Sequence, residues 1–125
     1  EIKRLFKKEK KLDKVVEKVL SLHGWLMNEI NANITDDNKR SFVSKYLHYH
    51  LPECVFIYDS ITNSSITKYV RKIKGVKAVF PQDQAYKDYV YRCLKLYDEI
   101  VKSKISFPSK DTLPRVIDNF LLRNK

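Results

Sequence analysis

The sequence predicts an all-α protein, a compact bundle of about five to six helices in a single domain. The chain has 125 residues, which is the length of one ordinary domain. It contains only two glycines and four prolines, too few for the many tight turns of a β-sandwich or barrel. Apolar residues recur every three to four positions through most of the chain, which is typical of amphipathic helices.

The N-terminal segment predicts one long helix over residues 2–23. Its buried face consists of apolar residues at helical spacing, namely Leu12, Val15, Val16, Val19, Leu20 and Leu22. Gly24 is the predicted C-cap, and residues 25–31 are predicted to add a short helical turn. The opposite face is rich in lysine, which fits either a phosphate-facing surface or an ordinary solvated face with ion pairs.

A second helix is predicted near residues 37–50, followed by an extended connector. Its N-cap candidates are Thr35, Asp36 and Asp37, and Pro52 ends it because proline cannot donate a backbone hydrogen bond. The run "CVFIY" at 54–58 is apolar and β-branched, so in isolation it would be predicted as a strand. An otherwise helical chain offers it few pairing partners, so we expect a buried extended connector.

Asp59 ends this connector and can cap a third helix. This helix is predicted to begin either immediately or after "TNSS" at 62–65, and to run to about Lys74 with Gly75 as its C-cap. The end of this helix carries the densest basic cluster without intervening acids. We predict nucleic-acid contacts there and at Arg40. The cluster consists of Lys68, Arg71, Lys72, Lys74 and Lys77. A solvated helix end whose lysines complement the helix dipole is the alternative.

Two more helices complete the predicted bundle. One begins at Pro81 or Gln82 and ends near Lys104, and the last has Thr112 as N-cap and Pro114 in its first turn. The apolar face of the last helix consists of Val116, Ile117, Phe120 and Leu121. The helix before it repeats tyrosines at helical spacing, which favours the core, with base-stacking platforms as the alternative. These are Tyr86, Tyr89, Tyr91 and Tyr97.

Lys45 and Asp59 are the candidate catalytic residues. A lysine partly desolvated beside Tyr49 and His48 can act as an amine nucleophile and form a Schiff base, whereas a solvent-exposed lysine is the alternative. A carboxylate at a helix N-terminus can stabilise a developing cation or assist proton transfer, whereas Asp59 as a cap alone needs no function.

The histidines and cysteines predict neither a metal site nor a cofactor. His48 and His50 are two positions apart, so they point to different sides of a helix and do not form a chelating pair. Cys54 near His50 leaves a Cys–His nucleophile open. With Cys93, it is interpreted as a reduced thiol of a cytoplasmic protein.

The net charge of +10 favours an anionic partner such as nucleic acid. A lysine-rich solvated surface is the alternative. No apolar run approaches the roughly 18 residues of a membrane span, so no membrane partner is predicted. Because the chain begins with Glu1, a fragment of a longer protein is also compatible with the sequence.

The stretch "SFVSKYLHYHLPECVFIYDSIT" at 41–62 resembles bacterial 8-oxoguanine DNA glycosylase-like proteins, small relatives of the helix-hairpin-helix DNA glycosylases. These carry a serine–lysine pair, a leucine–histidine–aromatic segment, a proline, and an isoleucine–tyrosine–aspartate–serine sequence. The later "LPRVIDNFLL" is similar to the closing helix of that family, which has arginine, two residues, aspartate, and then an aromatic–leucine pair. The resemblance implies a helix-hairpin-helix glycosylase-like bundle.

The resemblance also implies a reaction and its residues. Lys45 would attack the sugar carbon as the base leaves, and Asp59 would stabilise that centre. The target base would be flipped out of the helix into a pocket. The candidate pocket residues are Trp25, Tyr46, His48 and Tyr49.

The function implied by the resemblance is that of a base-excision DNA glycosylase and abasic-site lyase acting on modified or damaged bases, with phage defence as one setting. One alternative is a non-catalytic helical module that binds nucleic acid through its charge. A small helical ribonuclease toxin is another alternative. Arg40 and His48 would be its candidate pair, although they lie further apart than in such toxins.

Overall fold

A computed structural model describes the backbone of residues 9–30, 33–103 and 112–123, and the side chains of these ranges from residue 13 onward. This part of the chain forms five α-helices and no strand, which confirms the all-α prediction. The helices are α1 Glu9–Glu29, α2 Asp36–His50, α3 Ser60–Ile66, α4 Gln84–Lys102 and α5 Leu113–Arg123. The predicted start of the first helix at residue 2 and the predicted loop at 106–111 lie outside the described residues.

The apolar faces of these helices meet in two hydrophobic clusters. The larger one joins α1, α3, α4 and α5, and its most deeply buried members include Ile66, Tyr86, Tyr97 and Leu121. The smaller one fills the contact between α1 and α2 and contains Val19, Met27, Val43, Leu47 and Val55. The predicted buried faces of α4 and α5 are therefore confirmed, and the α4 tyrosines belong to the core rather than to an exposed stacking platform.

The connector between α2 and α3 is extended and buried, as predicted. Val55, Phe56 and Tyr58 are all less than 5% exposed. Its carbonyl groups find partners in side chains rather than in a sheet, since the Tyr86 hydroxyl donates to Phe56 O at 2.6 Å and the Tyr89 hydroxyl to Ile57 O at 2.7 Å. Buried backbone carbonyls need such partners, so two core tyrosines on α4 hold the connector in place.

Gly24 does not end the first helix, so the predicted C-cap is wrong. Helix α1 continues through Gly24 to Glu29 and absorbs the predicted short turn up to that residue. A Cβ atom at Gly24 would lie 2.0 Å from the Pro81 carbonyl oxygen, far inside van der Waals contact. The glycine therefore allows the loop before α4 to approach the helix backbone closely.

The third helix is also shorter than predicted, because α3 ends at Ile66 and not near Lys74. The Thr67 hydroxyl donates to Ser64 O at 2.6 Å, and Val70 is buried at 3% exposure. A helix through this region would place like charges three and four positions apart, which is unfavourable. Gly75 adopts a positive φ of 84° in a turn and is not a helix cap.

The region between α3 and α4, here called the basic segment (residues 67–83), is irregular but held in place. The Gln84 side chain accepts from the Ala78 N–H at 2.7 Å and donates to Val76 O at 2.8 Å. The Gln82 side chain accepts from the Val79 N–H at 3.0 Å. Side-chain amides thus satisfy backbone groups that a longer helix would have paired internally.

Candidate functional site

The structure brings Lys45 and Asp59 together. Lys45 Nζ lies 3.7 Å from Asp59 Oδ2, although the two residues are on different elements. The Lys45 side chain is 54% exposed and the Asp59 side chain 23% exposed. An ion pair this open contributes little to stability, because water and ions screen it. The amine is thus accessible to a molecule bound at this surface.

Ser44 and Tyr58, the residues before Lys45 and Asp59, fix their neighbours at this distance. Ser44 is fully buried, and its Oγ accepts from the Tyr58 N–H at 2.9 Å. The same hydroxyl lies 3.1 Å from Tyr58 O, to which it can donate. This hydrogen bonding joins the middle of α2 to the end of the connector. Sequence reasoning assigned no role to Ser44, although its position beside Lys45 is part of the family resemblance.

Asp59 is the N-cap of α3, as predicted, and forms a capping box with Thr62. Its Oδ1 accepts from the Thr62 N–H at 2.8 Å, while the Asp59 N–H donates to Thr62 Oγ1 at 3.0 Å. Thr62 is fully buried, so this arrangement is rigid. One carboxylate oxygen therefore anchors the helix, and the other faces Lys45.

A second carboxyl group, Asp118 on α5, belongs to the same neighbourhood. Burial raises the pKa of Asp118, and the negative charge of Asp59 raises it further, while the basic groups of His48, Arg115 and Lys45 act in the opposite direction. The Ser65 hydroxyl donates to Leu121 O at 3.0 Å and holds α5 against α3. A carboxyl with a raised pKa is easier to protonate and is suited to proton transfer.

Asp118 was missing from the sequence-predicted site. The signal that could have found it is the arginine, two residues, aspartate pattern in "LPRVIDNFLL", which contains Arg115 and Asp118. The pattern was noted as a resemblance of the closing helix, but nothing in the spacing places Asp118 beside Asp59, some 60 residues earlier in the chain. The packing of α5 on α3 brings the two carboxyl groups near enough for the charge of Asp59 to raise the pKa of Asp118.

The four candidate pocket residues lie in different surroundings. Tyr46 and Tyr49 are 50% and 81% exposed on α2, where Tyr49 lies one helical turn after Lys45, and Trp25 is 51% exposed on α1. His48 is 9% exposed, and its Nδ1 lies 2.7 Å from Val55 O, the geometry of an N–H donor to a carbonyl. His48 therefore holds the connector through this hydrogen bond, while the side chains of Tyr46 and Tyr49 remain available to a ligand.

The predicted nucleic-acid-binding cations also divide into two groups. Lys68, Arg71, Lys72, Lys74 and Lys77 are all exposed on the basic segment. Lys72 Nζ lies 3.9 Å from Asp88 Oδ2, a pair at the limit of an ion pair. Arg40 is different, because its guanidinium binds both carboxylate oxygens of Asp83 and its side chain is only 12% exposed. That geometry favours a structural role for Arg40.

Other chemistry finds less support in the described part of the chain. Burial, and then the charge of Glu53, raises the pKa of the Cys54 thiol, the opposite of what an activated nucleophile needs. Among the described residues, no group of three or more His, Cys, Asp and Glu side chains is arranged to hold a metal ion. None of the described helices is long and apolar enough to cross a membrane.

Comparison of the chain with models of known protein families, with curated protein sequences and with solved structures gives no match in any of the three. The glycosylase resemblance thus remains a prediction from residues 41–62 and the closing helix. The functional argument therefore has to come from the site itself.

Proposed function

We propose that this chain is a DNA-binding protein that excises modified or damaged bases as a glycosylase with abasic-site lyase activity. One observation carries the proposal, the 3.7 Å approach of an exposed lysine amine to a carboxylate held in a capping box. An amine nucleophile that substrate can reach and a fixed anion beside it are the two groups that such a reaction needs. The sequence resemblance names the same two residues.

In the proposed reaction, the Lys45 ammonium first loses a proton to solvent, and the free amine then forms a bond to C1′ of the target nucleotide. The bond between C1′ and the base nitrogen breaks, and its electron pair leaves with the base, which takes up a proton. The Asp59 carboxylate stabilises the positive charge that develops at C1′. The new secondary ammonium then loses a proton, and the C1′–O4′ bond breaks with its electron pair going to O4′, which takes up a proton. The nitrogen of Lys45 and C1′ are left joined as a Schiff base.

Asp118 is proposed to supply the proton that the departing base needs. Its carboxyl group has a raised pKa and belongs to the charged cluster around Asp59 and Lys45. A group that holds its proton closer to neutral pH is a better general acid. Asp59 and Asp118 thus have different roles, an anion at the sugar and an acid at the base.

The second candidate function is a non-catalytic module that binds nucleic acid through charge. The exposed cations of the basic segment and the net charge of +10 favour it. The ribonuclease alternative has less support, because the Arg40 guanidinium is bound to Asp83 and His48 is buried against Val55. Neither side chain is free to act on a phosphate in this arrangement.

Borohydride trapping separates the first two candidates. The protein is incubated with oligonucleotides that carry an abasic site or 8-oxoguanine, in single-stranded and duplex form, and the reductant fixes any Schiff base as a covalent adduct. We expect an adduct with the wild type and only background with Lys45→Ala. Lys39→Ala is the matched control, since it removes a lysine from the same helix and should leave the adduct intact.

Two outcomes would contradict the enzymatic proposal. Equal adducts with the wild type and Lys45→Ala would assign the amine to another lysine or to the chain terminus. No adduct with any substrate, together with binding that weakens steeply with salt, would leave the binding module.

A further inference from the structure

Helix α2 carries a row of aromatic rings on its exposed side, here called the α2 aromatic row (Phe42, Tyr46, Tyr49 and His50). The ring centroids of Phe42 and Tyr46 are 6.4 Å apart with an interplanar angle of 19°. Tyr46 and His50 follow at 4.8 Å, and Tyr49 contacts His50 at 5.2 Å. Since Phe42, Tyr46 and His50 are four positions apart, they lie along one side of the helix.

These rings are exposed to a degree that the fold does not require. Phe42 is 59% exposed, Tyr46 50% and Tyr49 81%, whereas Val43 and Leu47 of the same helix are buried at 2% and 4%. The contacts of α2 with the hydrophobic core therefore do not require the rings of the α2 aromatic row. Single exposed apolar residues need no explanation, but several adjacent rings indicate an interaction surface.

Lys45 lies within this surface. It is three positions after Phe42 and four before Tyr49, so these two residues are its neighbours along the exposed side of α2. Flat apolar faces beside a cation suit a ligand that has rings and negative charge. The bases and phosphates of a nucleic acid strand provide both.

We infer that the α2 aromatic row stacks unpaired bases, so that the site takes its target from a single-stranded or unwound segment of DNA. The faces of paired bases are covered by their neighbours in a duplex, and only unpaired bases can lie against the rings. This inference builds on the proposed function, because it names the substrate class that reaches Lys45 and Asp59. It commits to base stacking beside the amine rather than to charge alone.

A second copy of the chain is a poorer occupant of this surface. Two molecules that each carry a net charge of +10 repel one another, whereas the same charge attracts a phosphate backbone. Tyr46 and Tyr49 also keep polar hydroxyl edges, and His50 a polar ring edge, which suit a wet interface with nucleic acid better than a dry helix–helix contact. The charge thus decides between the two occupants.

Two strands of equal charge test the inference. One is a single-stranded oligonucleotide, and the other has the same length with a tetrahydrofuran group in place of every base, which cannot form a Schiff base. Fluorescence anisotropy at fixed salt gives the affinity for each. We expect the wild type to bind the base-containing strand more tightly, because only that strand offers faces for stacking.

Variants then locate the stacking. Phe42→Ala and Tyr46→Ala should each weaken binding to the base-containing strand by about 5- to 150-fold, and leave binding to the baseless strand unchanged. Phe80→Ala is the comparison variant, since Phe80 is a phenylalanine 89% exposed on the basic segment and would report stacking there instead of on α2. All three side chains are exposed, so circular dichroism should show the fold intact.

Three results would overturn the inference. The wild type could bind both strands equally, Phe80→Ala could cause the loss while Phe42→Ala does not, or Phe42→Ala could dissolve a dimer in a protein that binds neither strand. Trapping at Lys45 is a separate measurement. Loss of stacking with intact trapping would reject the aromatic row alone, and intact stacking without trapping would reject the enzymatic proposal alone.

Discussion

Helix α2 contributes the cation of two ion pairs, here called the Arg40 corner (Arg40 and Asp83) and the Lys45 corner (Lys45 and Asp59). The two pairs have the same arrangement and differ in burial. Near its start, Arg40 pairs with Asp83, the N-cap of α4. Further along, Lys45 pairs with Asp59, the N-cap of α3. In both corners the capping carboxylate accepts from the backbone N–H three residues later, Tyr86 in one and Thr62 in the other. Each pair thus joins α2 to the start of another helix.

The Arg40 corner is closed. The side chains of Arg40 and Asp83 are 12% and 17% exposed, both carboxylate oxygens bind the guanidinium, and Arg40 also lies over the Tyr58 ring at 5.6 Å. Burial alone would raise the pKa of Asp83, but the hydrogen bonds from Arg40 and Tyr86 outweigh it and lower the pKa. Such a two-point, nearly dry pair fixes geometry and leaves no group free for a ligand.

The Lys45 corner is open. Its lysine is 54% exposed and forms a single contact of 3.7 Å, and one oxygen of Asp59 is not committed to the helix cap. The comparison indicates that the same capping arrangement is closed when arginine pairs with the cap, and that it leaves an amine and a carboxylate accessible when the partner is lysine.

The largest expected effect is a difference in the free energy of unfolding between variants of the two corners. Arg40→Ala should lower the free energy of unfolding by about 3–5 kcal/mol, because it leaves Asp83 largely buried without its partner. Lys45→Ala should change it by less than about 1 kcal/mol, because an exposed pair contributes little. Urea denaturation of both variants measures the difference. Equal losses would mean that the Lys45 pair is structural as well.

The stability of the closed corner should depend on pH, because a buried histidine lies in it. His23 is fully buried there, stacked on Tyr86 at 3.7 Å, with its Nε2 donating to Arg40 O at 3.2 Å. Burial lowers the pKa of His23 from its ordinary 6.5 to about 4, although the hydrogen bond to Arg40 O and the charge of Asp83 act the other way. The unfolded chain therefore takes up a proton before the folded one as the pH falls.

Stability contributed by neutral His23 is thus complete above pH 6.5 and is lost as the pH falls to about 4. That interval corresponds to roughly 3 kcal/mol. Urea denaturation between pH 7.5 and pH 4.5 should show most of this loss. His23→Phe, which keeps a ring on Tyr86 but cannot titrate, should flatten the curve, and a wild-type curve already flat over this range would refute the assignment.

The smallest expected effect on stability concerns Asp59 in the open corner. Two substitutions there separate its role as a helix cap from the role of its negative charge. Asp59→Asn should preserve stability within a few tenths of a kcal/mol, because asparagine caps helices about as well as aspartate, whereas Asp59→Ala should cost about 1 kcal/mol. Both variants should lose most of the borohydride adduct, since both lack the anion. An Asp59→Asn variant that forms the adduct at the wild-type rate would reduce Asp59 to a cap.

Local chemistry predicted the elements of the fold well wherever a cap or a periodic face defines them. Thr35 was among the candidate N-caps of α2, and its Oγ1 accepts from the Asn38 N–H at 3.1 Å. The predicted helix from Pro81 or Gln82 to Lys104 became Gln84–Lys102, with the predicted face buried. These features depend on residues within about one helical turn of each other, so the sequence determines them nearly alone.

Prediction was wrong where a distant contact competes with a local signal. Glycine is common just after the end of a helix, so Gly24 was predicted as a C-cap. In the structure, glycine is needed there because the Pro81 carbonyl lies too close for a Cβ atom. Residues 67–74 have a helical apolar pattern, yet they leave the helix, and the side chains of Gln82 and Gln84 hold the backbone that follows. No residue within a few positions of either region indicates these distant contacts.

The sequence by itself determined that the chain is helical, that Asp59 caps a helix and that Lys45 lies on the helix before it. Only the tertiary structure decided that these two side chains meet, because the buried hydrogen bonding between Ser44 and Tyr58 sets their distance. It also decided that the charge of Asp59 acts on Asp118 and that Arg40 pairs with Asp83. Capping is a local interaction, whereas the convergence of charged groups on one site depends on how the helices pack.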